Sequence, residues 1–375
     1  MSHILKLALT APVFCIAALI LDAPAPLPAG QASLYKVLDP ITEGNLTVFP
    51  VVTTATHDTS SFLTLDEGMR TGEVVITEAG RAGLIRPRHW RGEIDPDFIV
   101  APQGGGAEVN RLVLLNRSDR PLILLAGEIV TGGKQDRVVA KDRIVPPKSE
   151  PIDLSVFCVE PHRWTTVGDF ATQGAPIAQP SVRRKVMVQR DQEAVWASVG
   201  AMQGRMVAAA PAPAAAELRA TSSYATVMAN GAVQEKLRDL TAPIERSYGN
   251  LKRLLRAEKA VGVVAAVNGR ICWADIFASP DLFNLYWPKL VQSYAAEAIT
   301  TPSGLGRADL KSAQAFLDNW NGCRDHSESE DAVYRFSEIS GERFTAFRLI
   351  SLLPHNGFDV HDAKMAEDQI AVCAE

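Results

Sequence analysis

The stretch richest in side chains capable of chemistry runs from Glu128 to Arg143 and resumes at Glu160. It carries Glu128, Lys134, Gln135, Asp136, Arg137, Lys141, Asp142 and Arg143, then Glu160, His162 and Arg163. Two kinds of chemistry suit such a set. Cationic side chains grip carboxylate or phosphate, Arg through a planar fork and Lys as a point charge. Two carboxylates whose surroundings push their pKa values apart can divide the roles of general acid and general base. A third outcome requires no chemistry, since mixed charges flanking a glycine turn often form a solvated, salt-bridged loop.

The segment LILLAGEIVTGGKQDR, Leu122 to Arg137, raises the question of a phosphate-binding loop. Such a loop reads G-x-x-x-x-G-K-[ST], so that backbone amides curl around phosphate, Lys reaches the outer phosphates and a hydroxyl holds magnesium. Counted from Gly127, the position after Gly132 is Gly133 instead of Lys; counted back from Lys134, the first glycine is replaced by Glu128, and the hydroxyl position is Gln135. Val138 and Val139, then Pro146 and Pro147, follow where a helix would have to start, and they suit a strand and a turn. The register and the context both exclude the loop.

The elements that must position these residues are strands. From Asn45 to about Trp164 short apolar runs alternate with Gly, Pro, Asn and Asp, as in NLTVFPVVTTAT, GEVVITEAG and DLSVFCVEP. RLVLL-NRSDRP-LILLA reads as an antiparallel pair around a turn-rich hexapeptide, and LTLDEGMRTG as a helix or a turn. In the strand ending at Pro161, the period of two puts Ile152, Leu154, Val156, Cys158 and Glu160 on one face, which leaves Glu160 at the rim beyond an apolar row. A carboxylate there either pairs with Arg137 or Arg163 or points into a cleft. Trp164 adds a surface for stacking.

Beyond Thr165 the pattern changes. SVRRKVMVQRDQEAVWASVGAMQGRM is compatible with helix, and VAAAPAPAAAE reads as a linker or exposed loop. IERSYGNLKRLLRAEKA is helical by composition, and VGVVAAV-NG-RICWADIF is a hairpin, because Asn-Gly accepts the positive φ values of a two-residue turn. Ser279 and Pro280 then supply an N-cap and a first-turn proline for a helix bearing Phe283, Tyr286, Trp287, Leu290, Val291, Tyr294, Ala295 and Ala298 on one face. That stripe reads as core packing on the hairpin, with Pro288 kinking the helix or ending its first turn.

GEIVTGGKQDR together with SVFCVEPHRW, and VNGRICWADIF leading into a W-x-x-L-x-x-S-Y helix, resembles the family of ARG and rhodanese-phosphatase-superfamily-associated protein domains, over about Leu34 to Leu353. The resemblance maps a G-E…K-Q-[ND]-R element onto Gly127, Glu128, Lys134, Gln135, Asp136 and Arg137, and a C-V-E…R-W element onto Cys158, Val159, Glu160, Arg163 and Trp164. Asp136 stands where Asn is more usual, which adds negative charge and counts against a purely anion-binding site. The family's name implies a genomic neighbourhood and supplies no reaction.

Other chemistry is weakly supported. Cys158 as a nucleophile would need a base, but His162 lies across a proline and the apolar row favours a core thiol. Cys323-x-x-His326, and His355 and His361 with Asp359 and Asp362, lack a second pair at zinc spacing and read as polar surface loops. No G-x-S-x-G, H-E-x-x-H or G-x-G-x-x-G occurs, and Gly104 to Gly106 reads as a flexible loop, so neither metal nor cofactor is expected. A net charge of -5 argues against a nucleic-acid partner.

The N-terminus carries Lys6, an apolar run from Leu7 to Leu21 and a Gly30-Gln31-Ala32 cleavage pattern before Ser33, the signature of a secretory signal peptide. That predicts a secreted or periplasmic protein with no membrane attachment after cleavage. The four cysteines left, Cys158, Cys272, Cys323 and Cys373, permit up to two disulfides in three pairings or none.

The sequence therefore predicts an α+β protein: a signal peptide over 1–32, an antiparallel, sandwich-like β domain over 33–170, a helical segment and Ala/Pro linker over 171–225, and helices with a small antiparallel sheet over 226–375. The preferred function is binding of a small anionic or sugar-bearing ligand, with Lys134, Arg137 and Arg163 on the anion, Gln135 beside them, Glu128 and Glu160 orienting the cations or accepting hydroxyls, and Trp164 stacking. The alternatives are a hydrolase using Glu128 and Glu160 as catalytic carboxylates, in ADP-ribose or glycan metabolism, and a structural or interaction protein. Either active reading requires Glu128, Arg137, Glu160 and Arg163 to converge in one concavity.

Overall fold

The computed structural model describes residues 34–79, 110–165, 167–172, 174–302, 304, 306–353 and 357–367. The signal-peptide segment and the Gly104 to Gly106 loop lie outside them. The fold is α+β, with a strand-rich N-terminal part. Among the described residues no helix is long and apolar enough to cross a membrane.

The first strands are β1 (Lys36–Val37), β2 (Ile41–Glu43) and β3 (Leu46–Thr53); β4 (Leu63–Thr64) runs into α1 (Leu65–Thr71), capped by Thr64. Then come β5 (Val74–Glu78), β6 (Arg111–Asn116), β7 (Leu122–Leu124), β8 (Ile129–Val130), β9 (Arg137–Val139), β10 (Arg143–Val145) and β11 (Ile152–Cys158). They form an antiparallel sheet in the order β5-β6-β11-β9-β8 and a small one in the order β10-β7-β4. Leu63, Ile76, Leu112, Leu114, Leu122, Leu124, Val139, Leu154 and Val156 fill the core between them.

One expected pairing does not occur, because β6 and β7 flank the NRSDRP hexapeptide but belong to different sheets. The connection is a pinned corner. Asn116 donates its side-chain amide to the carbonyls of Arg120 and Pro146 at 2.9 Å each, and Arg120 pairs with Glu67 at 2.7 Å. Side-chain bonds to the turn backbone outweigh the local hairpin preference.

The second half contains α2 (Pro180–Arg184) with a π-helical turn over Lys185–Gln189, α3 (Gln192–Ala209), α4 (Ala212–Arg219), α5 (Tyr224–Ala229), α6 (Gly231–Leu254), β12 (Lys259–Val267), β13 (Arg270–Phe277), α7 (Pro280–Thr300), α8 (Leu310–Asp318), β14 (Gly322–Glu330), β15 (Tyr334–Gly341), β16 (Phe344–Ser351) and β17 (Phe358–Ala366). Its sheet is large where a small one was expected: β1-β3-β12-β13-β17-β16-β15-β14, with β2 also on β3. β3 is buried throughout, since β1 and β12 flank it. Its alternate side chains serve two cores: Val48 joins Val263, Ala265, Phe277, α6 and α7, whereas Phe49 and Val51 join Val264, Ala274 and the Ala313 and Leu317 side chains of α8.

The Asn268-Gly269 turn links β12 to β13 as the hairpin reading requires, with φ of 52° and 75°. Ser279 caps α7 by accepting the Leu282 amide at 3.0 Å. The predicted stripe from Phe283 to Ala298 is buried core. Pro288 does not end the helix; it forfeits one backbone bond, and packing of Tyr286, Trp287, Leu290 and Val291 holds the segment. The Ala/Pro stretch expected to be a linker is largely helix α4, because Ala215 and Leu218 find a buried face and Gln203 donates to the Leu218 carbonyl at 2.6 Å.

Candidate functional site

The Gly132 turn leaves β8 and enters β9, and it is built for close backbone packing. Gly132 sits at φ 111°, and a side chain there would meet the Asp169 carbonyl at 2.4 Å. The turn therefore lies flat on the Asp169–Phe170 segment. Beyond β11 the chain reverses at His162, which takes the left-handed conformation at φ 75°. That reversal folds Arg163 back onto Glu160, three residues earlier, at 2.5 Å.

Arg163 is then fully engaged. It donates to the carbonyls of Gly133 at 2.9 Å, Thr165 at 2.8 Å and Gly132 at 3.2 Å, and reaches Asp136 Oδ1 at 3.4 Å. Asp136 accepts the Gly132 amide at 2.9 Å and the Ser223 hydroxyl at 2.6 Å, and its own amide donates to Glu160 at 3.0 Å. Gln135 donates to the Glu160 carbonyl at 3.1 Å. Burial raises the Asp136 carboxyl above its ordinary range, against the Ser223 and Gly132 bonds, whereas the hydrogen bond that Arg163 donates to Glu160 raises Arg163.

This cluster opens on a cleft of about 530 Å³. Asp136, Glu160, Arg163 and Asp169 supply its charge, Thr131 and Gly132 one wall, and Ala225, Thr226 and Ala229 of α5 the other. Three carboxylates thus face one guanidinium, which is already committed. The arrangement can accept hydrogen bonds from hydroxyl or ammonium groups and offers little to an anion.

The other predicted residues stand apart. Lys134 and Arg137 lie against the half-exposed Trp164 ring, at 4.9 Å from Nζ and 5.9 Å from Cζ. Arg137 is buried, and desolvation lowers its pKa. Glu128 does not line the cleft. It is buried in the core, where Oε2 accepts the Leu125 amide at 2.8 Å and Oε1 has no hydrogen-bond partner among the described residues. Desolvation, augmented by Asp66 and Asp142 and opposed by Lys289 and the Leu125 amide, pushes Glu128 up to about 8. Glu128 and Glu160 therefore do not face each other across the cleft. Cys158 is a buried free thiol whose backbone exchanges hydrogen bonds with Gln192 at 2.8 and 2.9 Å, and burial pushes its pKa up.

Sequence reasoning missed a second polar cluster, wholly inside the protein. His361 of β17 contacts Asp142 through Nδ1 at 2.7 Å and Asp275 of β13 through Nε2 at 3.2 Å. Arg183 of α2 grips Asp275 with two bonds of 2.9 Å and lies over Trp273 at 4.3 Å, and the Tyr294 hydroxyl of α7 also donates to Asp275. Gly127, at φ 96°, makes room for the arm of Arg183: a side chain there would come within 2.8 Å of it. The residues carry two negative and two positive charges when His361 is protonated. His361 and its aspartate neighbours were expected at the surface; instead His361 is buried and Asp362 pairs with Arg348 at 2.9 Å. The available signal was Asp275, which falls in period with Trp273 and Phe277 on a strand otherwise apolar there. Cys323 and His326 lie on β14, and among the described residues no group of three or more His, Cys, Asp or Glu side chains is arranged to hold a metal ion.

A family model for the ARG and Rhodanese-Phosphatase-superfamily-associated Protein domain matches residues 34–361. No curated protein and no solved structure matches the chain.

Proposed function

Because the chain belongs to the ARG and Rhodanese-Phosphatase-superfamily-associated Protein domain family, whose name specifies no reaction, we propose a function from the cleft itself: binding of a small, hydroxyl-rich, sugar-bearing ligand beside Asp136 and Glu160. The observation that carries this reading is the prior commitment of Arg163. By tying Glu160, Asp136 and the Gly132–Gly133 carbonyls together, it fixes two carboxylates at a concave surface without exposing a free cation. Preorganised acceptors of this kind suit hydroxyl donors, and the preponderance of carboxylates disfavours phosphate.

A thermal-shift screen of neutral sugars, sugar phosphates and nucleotides tests it. Neutral sugars are expected to raise the midpoint of the wild type and to leave Ala229→Trp unmoved, since an indole on this exposed position of α5 fills the cleft without touching the core. A response confined to phosphorylated ligands, or one that survives Ala229→Trp, would overturn the reading.

We also propose that the protein works outside the cytoplasm. The apolar run and cleavage pattern before Ser33 support this, as does Cys323, which is disulfide-bonded, a state typical of oxidising compartments. N-terminal sequencing of the protein from its native cells is expected to begin at Ser33; a cytosolic form that retains the apolar run would rule it out.

A further inference from the structure

Beside the acidic cleft lies a larger one of about 700 Å³, and Ala171 and Gly174 form part of the wall of both. Its lining combines the apolar side chains Met69, Phe170 and Leu285 and the ring of Tyr286 with the polar side chains of Thr64, Asp66, Glu67, Arg70 and Thr172. The volume lies in the range of small-ligand sites, which are mostly apolar with a few placed polar groups.

Leu285 is the informative residue. On α7 the large side chains Leu282, Phe283, Tyr286, Trp287 and Leu290 turn inward, whereas Leu285 is 61% exposed and contributes little to that core. Of the exposed large apolar side chains among the described residues, Leu285 lines the second cleft and Val167 the first, whereas Leu34, Leu254 and Leu310 line neither. Leu285, with Met69, Phe170 and Tyr286, gives the second cleft apolar surface against which part of a ligand can pack.

We infer that the ligand has two parts: a sugar that sits in the acidic cleft and an aromatic or other apolar group, attached to it, that crosses the shared Ala171–Gly174 wall and packs against Leu285, Phe170 and Tyr286. This inference rests on the sugar-binding reading and adds the chemical class of the attached group.

Calorimetric titration of the full chain with pairs of methyl and p-nitrophenyl glycosides of the same sugars tests it. For the sugar that binds, the aryl glycoside is expected to bind at least about tenfold more tightly, as burial of ring surface implies. Leu285→Asp, on an exposed helical position, should reduce that advantage to within about threefold and leave the methyl glycoside unchanged, while Ala229→Trp weakens both. Methyl glycoside binding with no aryl advantage, or an advantage that survives Leu285→Asp, overturns the two-part ligand and leaves sugar binding intact. Absence of binding by either member of every pair overturns both.

Discussion

Arg183→Met is expected to remove about 3–5 kcal/mol of folding stability, because it strands Asp275 in the interior with one cation fewer. In the wild type Asp275 accepts from Arg183, His361 and Tyr294 and is completely buried. Its desolvation cost is offset by Arg183 first and then by the bonds from His361 and Arg183, which together hold the carboxyl well below the usual carboxylate range. Denaturant unfolding of Arg183→Met, Asp275→Asn and the double variant measures the pair, and the double variant should lose less than the two single losses summed. A loss below about 1 kcal/mol in Arg183→Met would refute the account.

The same network sets a pH dependence. Burial lowers the His361 pKa, but Asp142, by charge and hydrogen bond, and Asp275 outweigh it and raise His361 to about 9. The groups facing the ring are Asp142 from the β9–β10 turn, Asp275 and Phe277 from β13, and, through Asp275, Arg183 of α2 and Tyr294 of α7. A folded pKa above the unfolded value of about 6.5 means that the contribution is fully present below about pH 6.5 and is lost as pH rises through about 9. His361→Gln should be weaker at pH 6 and show a shallower alkaline decline.

Glu128→Gln is expected to act in the opposite direction. A carboxyl held up to about 8 in the folded state and near 4.3 when unfolded makes stability fall as pH rises between those values, since the folded chain keeps the proton longer. Gln carries no titrating proton. Unfolding free energies from urea titrations should therefore come close to the wild type near pH 5 and exceed it at pH 8 by an amount on the order of a few kcal/mol. A variant weaker than wild type at pH 8 would show that Glu128 is ionised and paired.

How far these features were legible depends on the range of the forces involved. The Asn268-Gly269 hairpin, the Ser279-Pro280 helix start and the alternation through Leu154 and Val156 were readable because each is decided within a few residues by backbone sterics or side-chain period. The corner at Asn116 was not, since its hydrogen-bond partners lie at Arg120 and Pro146 and the pinning of Arg120 comes from Glu67. For the site, the sequence reading asked Glu128, Arg137, Glu160 and Arg163 to share one concavity; only Glu160 and Arg163 do, joined there by Asp136. What spacing could not convey is that Arg163 spends its donors on backbone carbonyls and that Glu128 points into the core. The His361 network joins positions 142, 183, 275, 294 and 361, and no local pattern links them.

The place of β17 in the large sheet governs how the chain can assemble. It is the last strand described, yet it lies between β13 and β16 and brings His361 to Asp142 and Asp275. Until residues 358–366 have been synthesised, the sheet exists only as two separate ribbons with raw edges, and the interior aspartates lack their imidazole. Closure of the sheet is therefore a long-range step, and the edges of β13 and β16 stay open until β17 inserts between them.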